Sequence, residues 1–363
     1  MLVTNQPHSV RRVSAAMRRS LLVLILLILT TAFAVPPSAV RAQELTKVTV
    51  ALDWYPNVDH AGLFLAKERG YFADEGLNVE LYTPADPSVV LQTVGAGKDT
   101  FGISYQTDLL LARAQGVPVV STAALVQRPL MGLMSLREKG IARPRDLVGK
   151  TIGFPGIPSQ EAFLATMLET DGAKLGDIEL VNVGFDLVPA LISGRVDAVM
   201  GAFWTVEPLL AEQAGHPVNL MHVEDWGVPS YYELILAASE KTMQSHPDVV
   251  EAFLRAMQRG YAAAIVEPAA ALDALALASP EIDRAVETKG LALLTPAWTE
   301  NVPVFGTQTK QRWDAYATWM KTRHLIPSDL DVDAAYQTAL LPQARSSPVA
   351  SPSAYGDPPA SVV

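Results

Sequence analysis

Short β-branched runs alternate with segments of helical periodicity along this chain, and this alternation is the feature that most limits its fold. Three such pairs are residues 48–52 with 61–68, 151–154 with 160–170, and 196–200 with 204–211. The pattern is typical of βαβ units and predicts an α/β fold with mostly parallel sheets. In such sheets ligands bind at the carboxyl ends of the strands, where loops meet the N-termini of helices.

The first 42 residues have the pattern of a secretory signal peptide. A region with four arginines precedes an apolar run over residues 21–34, and Val40-Arg41-Ala42 offers small residues at the cleavage positions. The alternative is a membrane anchor, but the run is shorter than the roughly 20 apolar residues that a span needs. We predict cleavage after Ala42 and an exported protein in the periplasm or at the outer face of the cytoplasmic membrane.

Charge and cysteine content exclude several classes of function. The predicted signal peptide holds five arginines and no acidic residue, so its removal takes the formal net charge from −10 to −15. An acidic surface argues against nucleic acid or an anionic membrane as a partner. The chain has no cysteine, which excludes disulfides, thiolate metal sites, a thiol nucleophile and a lipid anchor through cysteine.

The C-terminal residues 342–363 are rich in Pro, Ser and Ala and hold almost no large apolar side chain. Such a segment cannot bury enough surface to offset its ordering entropy, so we expect a disordered tail. About 300 residues remain between the predicted signal peptide and this tail, more than one hydrophobic core usually organises. The sequence therefore predicts two lobes.

Five segments at predicted strand ends concentrate aromatic, amide and carboxylate side chains, although each residue alone has an ordinary structural explanation. Together they predict a cleft with aromatic faces and a few polar groups that orient a ligand. Ser159 is also expected to cap the helix that follows it. The candidate ligand-binding residues are Trp54, Asn57 and His60, then Tyr105 and Gln106, then Gly156 and Ser159, then Trp204 and Glu207, and finally Tyr231, Tyr232 and Glu233.

Motifs of catalysis are missing from these segments. The sequence has no HExxH, no GxSxG with plausible triad partners and no GxxxxGK[ST] phosphate loop, and its six histidines lack metal-ligand spacing. Asp53 and Asp59 form the nearest acidic pair, but no nucleophile accompanies them. The residues therefore predict binding rather than catalysis, with no metal and no cofactor.

The order of motifs resembles that of the exported solute-binding proteins of the NMT1/THI5-like family. The resemblance is carried by "VTVALDWYPNVDHAGLFLAKERGYFADEGLNVELYTP", "LVGKTIGFPG", "LISGRVDAVMGAFWTVEP" and "PSYYELILAASE". It implies a type II periplasmic-binding-protein fold that closes by a hinge and, as a monomer, delivers a small molecule to an ABC permease and its ATPase. It also implies two crossings between lobes, with residues 43–134 and 236–341 in lobe 1 and residues 135–235 in lobe 2.

The family also includes a pyrimidine synthase that consumes its own pyridoxal phosphate and a histidine. The resemblance places that enzyme's cofactor lysine on Ser104, its histidine on Asp108 and its cysteine-rich run on residues 229–233. Because none of these groups is kept, the resemblance does not favour an enzyme.

A flat heteroaromatic vitamin or vitamin precursor suits the aromatic and acidic loops best. Riboflavin is the favoured ligand, because the loops hold many aromatic residues and the motifs look closer to riboflavin-binding members. The alternative is an aminopyrimidine precursor of thiamine, whose amidine-like edge would pair with a carboxylate. A sulfonate is disfavoured, because the candidate loops hold no Arg or Lys for an anion.

Overall fold

The computed structural model describes residues 44–302 and 304–342, so the predicted signal peptide and all but the first residue of the predicted tail lie outside the described residues. From Leu45 onward the described chain forms one compact unit. Its ten strands build two five-stranded sheets, of order β2-β1-β3-β10-β4 and β7-β6-β8-β5-β9. The strands are β1 Thr46–Ala51, β2 Leu77–Tyr82, β3 Phe101–Ser104, β4 Val119–Ala124, β5 Met131–Leu136, β6 Thr151–Phe154, β7 Glu179–Asn182, β8 Ala198–Phe203, β9 Val218–His222 and β10 Ile235–Ser239.

The two sheets share one topology. In the first sheet β10 runs antiparallel to β3 and β4, whereas β1 pairs in parallel with β2 and β3. In the second sheet β5 runs antiparallel to β8 and β9, whereas β6 pairs in parallel with β7 and β8. All residues of β4, β5 and β10 are buried, as expected for strands covered on both faces. The predicted α/β fold with mostly parallel sheets is confirmed.

The chain changes sheet between Ala124 and Met131 and returns between His222 and Ile235. The predicted boundary after residue 134 is wrong, because it falls inside β5, which belongs wholly to the second sheet. Ile235 was expected at the end of lobe 2 but begins β10 of the first sheet. The chain first crosses in the segment around Gln127 and Pro129. The strand that follows each crossing is buried and apolar, so its sequence does not indicate which of the two sheets it joins.

Twelve α-helices flank the sheets in the described part of the chain. Helix α1 and strand β6 have the bounds that the sequence predicted. Among the described residues, no single helix is long and apolar enough to cross a membrane, and α9 with α10 pass that test only as a pair bent by 118°. The helices are α1 Ala61–Glu68, α2 Tyr71–Asp74, α3 Val90–Gly95, α4 Gln106–Ala114, α5 Pro158–Thr170, α6 Leu187–Ile192, α7 Glu207–Gln213, α8 Glu240–Ser245, α9 Pro247–Val266, α10 Pro268–Ala278, α11 Arg284–Trp298 and α12 Lys310–Thr322.

Helix α9 packs on α1 without space for side chains at the crossing. A Cβ on Gly260 would lie 2.2 Å from the carbonyl oxygen of Gly62, so glycine is needed for this close approach. The neighbouring Tyr261 is fully buried and donates a hydrogen bond to the carbonyl oxygen of Asp59 at 2.8 Å. The α1–α9 pair therefore fixes the loop that follows β1.

Candidate functional site

A narrow cavity lies between the carboxyl ends of strands from the two sheets. Its walls combine side chains that follow β1 and β3 of the first sheet with side chains from α5 and the end of β8 on the second. The site therefore forms where parallel strands end, as the topology of α/β sheets predicts. The nine lining residues are Asp53, Trp54, Asn57, Tyr105, Gln160, Gly201, Phe203, Val206 and Glu207.

Local hydrogen bonds hold the β1 loop rigid. The Asn57 side chain accepts from the backbone N–H of Asp59 at 2.8 Å, and the Asn57 N–H reaches Nδ1 of His60 at 3.4 Å. Because Nδ1 accepts, Nε2 of His60 carries the proton and donates to Asp53 at 2.9 Å. The hydroxyl of Tyr105 donates to the other Asp53 oxygen at 2.9 Å. Asp53 is thus a fixed acceptor in the cavity wall, whereas His60 is fully buried behind it.

Glu207 is the second carboxylate of the wall. It begins α7, and its Oε2 accepts from the backbone N–H of Phe203 at 2.7 Å. Burial raises the pKa of Glu207 to about 7, because an ionised carboxylate loses its hydration there. A ligand that brings N–H donors to this side chain would compensate that loss.

Aromatic rings from the two sheets meet beside the cavity. The half-buried Trp54 contacts Phe185, which follows β7, with ring centroids 4.6 Å apart, and the exposed Tyr55 contacts the same ring at 4.5 Å. Inside the cavity the rings of Tyr105 and Phe203 stand edge to face, 6.5 Å apart. Aromatic rings therefore lie at the cavity on the side of each sheet.

A buried hydrogen-bonded pair joins α4 to α5 next to the cavity. The backbone N–H and the hydroxyl of Ser159 donate to Asp108 at 3.1 and 2.5 Å. Burial raises the pKa of Asp108 to about 6, against the effect of these two donors. The expectation that Ser159 caps its helix is wrong, because Ile157 occupies the N-cap position and Pro158 begins α5. Gly156 lies in the preceding turn at φ +82°, against the side chain of Asn182, and is not among the lining residues.

Tyr231, Tyr232 and Glu233 were expected to face the ligand, and that expectation is wrong, because all three are buried in the core. Glu233 accepts from the N–H groups of Leu130 and Met131 at 2.6 and 3.1 Å and from the Tyr231 hydroxyl at 2.9 Å. Helix α12 covers the two tyrosine rings, and the sequence of the loop alone does not reveal that cover. These residues brace the point where the chain crosses to the second sheet.

Gln106 and Trp204 also lie outside the cavity wall. The Gln106 side-chain oxygen accepts from the N–H of Tyr232 at 2.8 Å, so it ties α4 to the segment before β10. The indole of Trp204 donates to the carbonyl of Pro129 at 3.1 Å and lies under the guanidinium of Arg128. Four of the twelve predicted residues line the cavity: Trp54, Asn57, Tyr105 and Glu207.

Sequence reasoning missed five wall residues, which are Asp53, Gln160, Gly201, Phe203 and Val206. Gln160 directly follows the singled-out Ser159, but a glutamine in the first turn of a helix is ordinary and gave no signal. Phe203 and Val206 are apolar residues at the end of a predicted core strand and in the turn after it, so the sequence did not mark them as ligand-binding residues. Among the described residues no group of three or more His, Asp or Glu side chains is placed to hold a metal ion.

Comparison with known proteins agrees with this architecture. The model of the family described as NMT1/THI5 like matches residues 57–271. The formylaminopyrimidine-binding protein of Halalkalibacterium halodurans is 35% identical over 319 residues, which cover 87% of this chain and 97% of that protein. The 4-amino-5-hydroxymethyl-2-methylpyrimidine phosphate synthase of Legionella pneumophila is 27% identical, with 82% and 93% covered.

Among solved structures, the alkanesulfonate-binding protein SsuA from Xanthomonas axonopodis pv. citri, bound to MOPS, superposes with a TM-score of 0.65 at 17% identity. The match covers 82% of this chain and 99% of that one. At this identity the likeness concerns the fold, and it confirms the predicted periplasmic-binding-protein architecture. With more than half of its residues matched by the family model, this chain belongs to the NMT1/THI5-like family.

Proposed function

We propose that this protein is the exported solute-binding component of an ABC importer and captures an aminopyrimidine of the kind from which thiamine is made. The observation that carries the proposal is the cavity between the two sheets. Two carboxylates, Asp53 and Glu207, line it together with aromatic rings, and none of the nine lining residues is Lys or Arg. Such a wall favours a flat ring that brings N–H donors.

The absence of a cationic wall residue argues against an anionic ligand. A sulfonate needs Arg, Lys or convergent N–H donors, and burying it beside two carboxylates costs free energy. The likeness to an alkanesulfonate-binding protein therefore reflects a common fold and not a common ligand.

An aminopyrimidine fits better than riboflavin, which was the favoured ligand on sequence grounds. The cavity is narrow, and the aromatic side chains that line it are Trp54, Tyr105 and Phe203. A wall of this extent favours one ring with short substituents over three fused rings with a hydroxylated chain. The name of the 35% identical relative points the same way. The tyrosines that suggested a larger ring, Tyr231 and Tyr232, are buried outside the cavity.

Binding without catalysis accounts for the residues better than a synthase does, although one relative is named a synthase. The resemblance places the synthase's reactive groups on Ser104 and Asp108, and Asp108 is held by two hydrogen bonds from Ser159. No lysine lines the cavity to carry pyridoxal phosphate. We propose a monomer that passes its ligand unchanged to a permease with its ATPase.

Calorimetric titration of the purified protein tests this proposal. We expect stoichiometric binding of an aminopyrimidine, with or without an N-formyl group, and no heat from riboflavin or an alkanesulfonate. Binding of riboflavin with quenched flavin fluorescence, and none of the pyrimidine, would overturn the ligand class. Conversion of the bound pyrimidine into another compound would overturn the assignment as a binding protein.

A further inference from the structure

One wall residue of the cavity has an unmet hydrogen-bonding demand. Gln160 lies in the first turn of α5 and is 2% exposed. Its side-chain oxygen Oε1 is buried and has no hydrogen-bond partner within the described part of the chain. None of the other eight lining residues has a buried side-chain nitrogen or oxygen without a hydrogen-bond partner in the described part of the chain. Because buried polar atoms are nearly always paired, the unpaired oxygen points to a partner that comes from outside the chain.

The backbone opposite this amide is shaped to accommodate it. Gly201 in β8 has φ +101°, and a Cβ there would lie 2.6 Å from Nε2 and 2.9 Å from Oε1 of Gln160. Only glycine adopts this conformation readily and also leaves the amide in place. The Gln160 amide group is therefore held against bare backbone at the cavity wall.

We propose that Gln160 is the specificity-determining residue that recognises the amino edge of the ligand, an inference that rests on the proposed function. A carboxamide presents an acceptor and a donor side by side. An aminopyrimidine presents the complement, an exocyclic N–H donor next to a ring nitrogen acceptor. Glutamine makes this two-bond pairing with the corresponding edge of adenine in protein–DNA complexes.

Asp53 and Asn57, two other polar residues of the wall, do not supply the same pair. Both oxygens of Asp53 already accept hydrogen bonds, one from His60 and one from Tyr105. The oxygen of Asn57 is taken by the N–H of Asp59. Gln160 is the lining residue that offers an unbonded carbonyl oxygen together with an amide N–H group.

The test compares two ligands on three proteins. The ligands are a hydroxymethyl aminopyrimidine and its analogue with hydrogen in place of the exocyclic amino group. The proteins are the wild type, Gln160→Met, and Gln115→Met as the matched control on the exposed end of α4. Gln160→Met keeps the side-chain length and removes both hydrogen-bonding groups. We expect it to weaken aminopyrimidine binding roughly 10- to 100-fold and to abolish the preference over the analogue. Gln115→Met should change neither.

The outcomes separate this inference from the proposed function. If the wild type binds the aminopyrimidine and Gln160→Met binds it equally well, the role of Gln160 is overturned and the proposed function stands. If the wild type does not bind the aminopyrimidine, both are overturned. If Gln160→Met fails to fold, the comparison of the two ligands on the wild type decides. Equal affinity of the wild type for the two ligands would contradict recognition of the amino group.

Discussion

At the residue scale, two tryptophans with similar sequence surroundings have different roles. Trp54 and Trp204 both follow a strand and precede a helix, and both were predicted to face the ligand. Trp54 lines the cavity and contacts Phe185, whereas the indole of Trp204 is tied to the carbonyl of Pro129. The residue type and the position after a strand are the same for both tryptophans, so the sequence predicted the same role for both. The direction of each ring depends on packing that the local sequence does not encode.

This contrast gives a matched pair of variants. Trp54→Ala removes a ring face from the cavity and should weaken aminopyrimidine binding at least about 10-fold, because a stacked aromatic pair contributes about 0.5–1.5 kcal/mol beyond its buried area. Trp204→Ala should leave the affinity within about twofold. Calorimetric titration measures both. Equal losses in the two variants would contradict the placement of the ligand beside Trp54.

At the element scale, the antiparallel strand β10 explains why the segment before it misled the sequence analysis. Because β10 runs against β3, the residues that precede it lie at the same edge as the residues that follow β3. Tyr231 and Glu233 therefore reach the correct edge of the sheet. They are turned into the core, where Glu233 binds the N–H groups of Leu130 and Met131.

We expect Glu233 to stabilise the fold and not to bind ligand. Glu233→Ala leaves two backbone N–H groups and the Tyr231 hydroxyl unpaired and should lower the free energy of unfolding by about 3 kcal/mol. The control Glu240→Ala breaks a half-exposed ion pair with Arg113 and should cost about 1 kcal/mol or less. Urea unfolding measures both. A loss in Glu233→Ala no larger than in the control would show that this brace is unimportant.

The pair of Asp108 on α4 and Ser159 on α5 links elements of the two sheets. Ser159→Ala removes one hydrogen bond to a buried carboxyl and should weaken ligand binding roughly 3- to 10-fold, because the helices on the two sides of the cavity lose a contact. Small-angle scattering of the ligand-free protein should show a larger average size. Ser193→Ala, which loses only a local bond to Ala190, is the control. An unchanged affinity and size in Ser159→Ala would contradict a role of this pair in holding the two sides of the cavity together.

At the scale of the whole molecule, the sequence predicted the architecture better than the site. Alternating strand and helix patterns led to two mostly parallel sheets, and the bounds of α1 and β6 were predicted correctly. The first crossing was predicted several residues too late and the second one residue too late, because β5 and β10 are buried apolar runs that suit either sheet. Cavity walls depend on which side chains the two sheets turn toward each other, and Gln160 shows that an ordinary helix residue can occupy such a wall.

Several buried carboxyl groups predict how stability depends on pH. Burial raises the pKa of Asp108 to about 6, of Glu207 and Glu287 to about 7, and of Glu233 to about 8. At a pH between the ordinary carboxyl pKa and these raised pKa values, the folded chain keeps protons that the unfolded chain has lost. Stability therefore falls as the pH rises through this window. The pKa of the Asp171 carboxyl is lowered to about 2, so its contribution to the stability does not change over this pH window.

We expect the ligand-free protein to unfold at lower urea concentration at about pH 8 than at about pH 5. One fully shifted group changes the free energy of unfolding by about 1.4 kcal/mol per pH unit. Glu207→Gln should reduce the difference, because glutamine does not titrate. Stability that stays level or rises over this range would contradict the burial of these groups.

The most direct test of the account is a crystal structure of the protein with a bound aminopyrimidine. We predict that the ring occupies the cavity lined by Trp54, Tyr105 and Phe203, with its amino edge within hydrogen-bonding distance of the Gln160 amide and a further N–H group near Glu207. A pyrimidine bound outside this cavity, or one held there by Tyr231 and Tyr232 instead, would contradict the account.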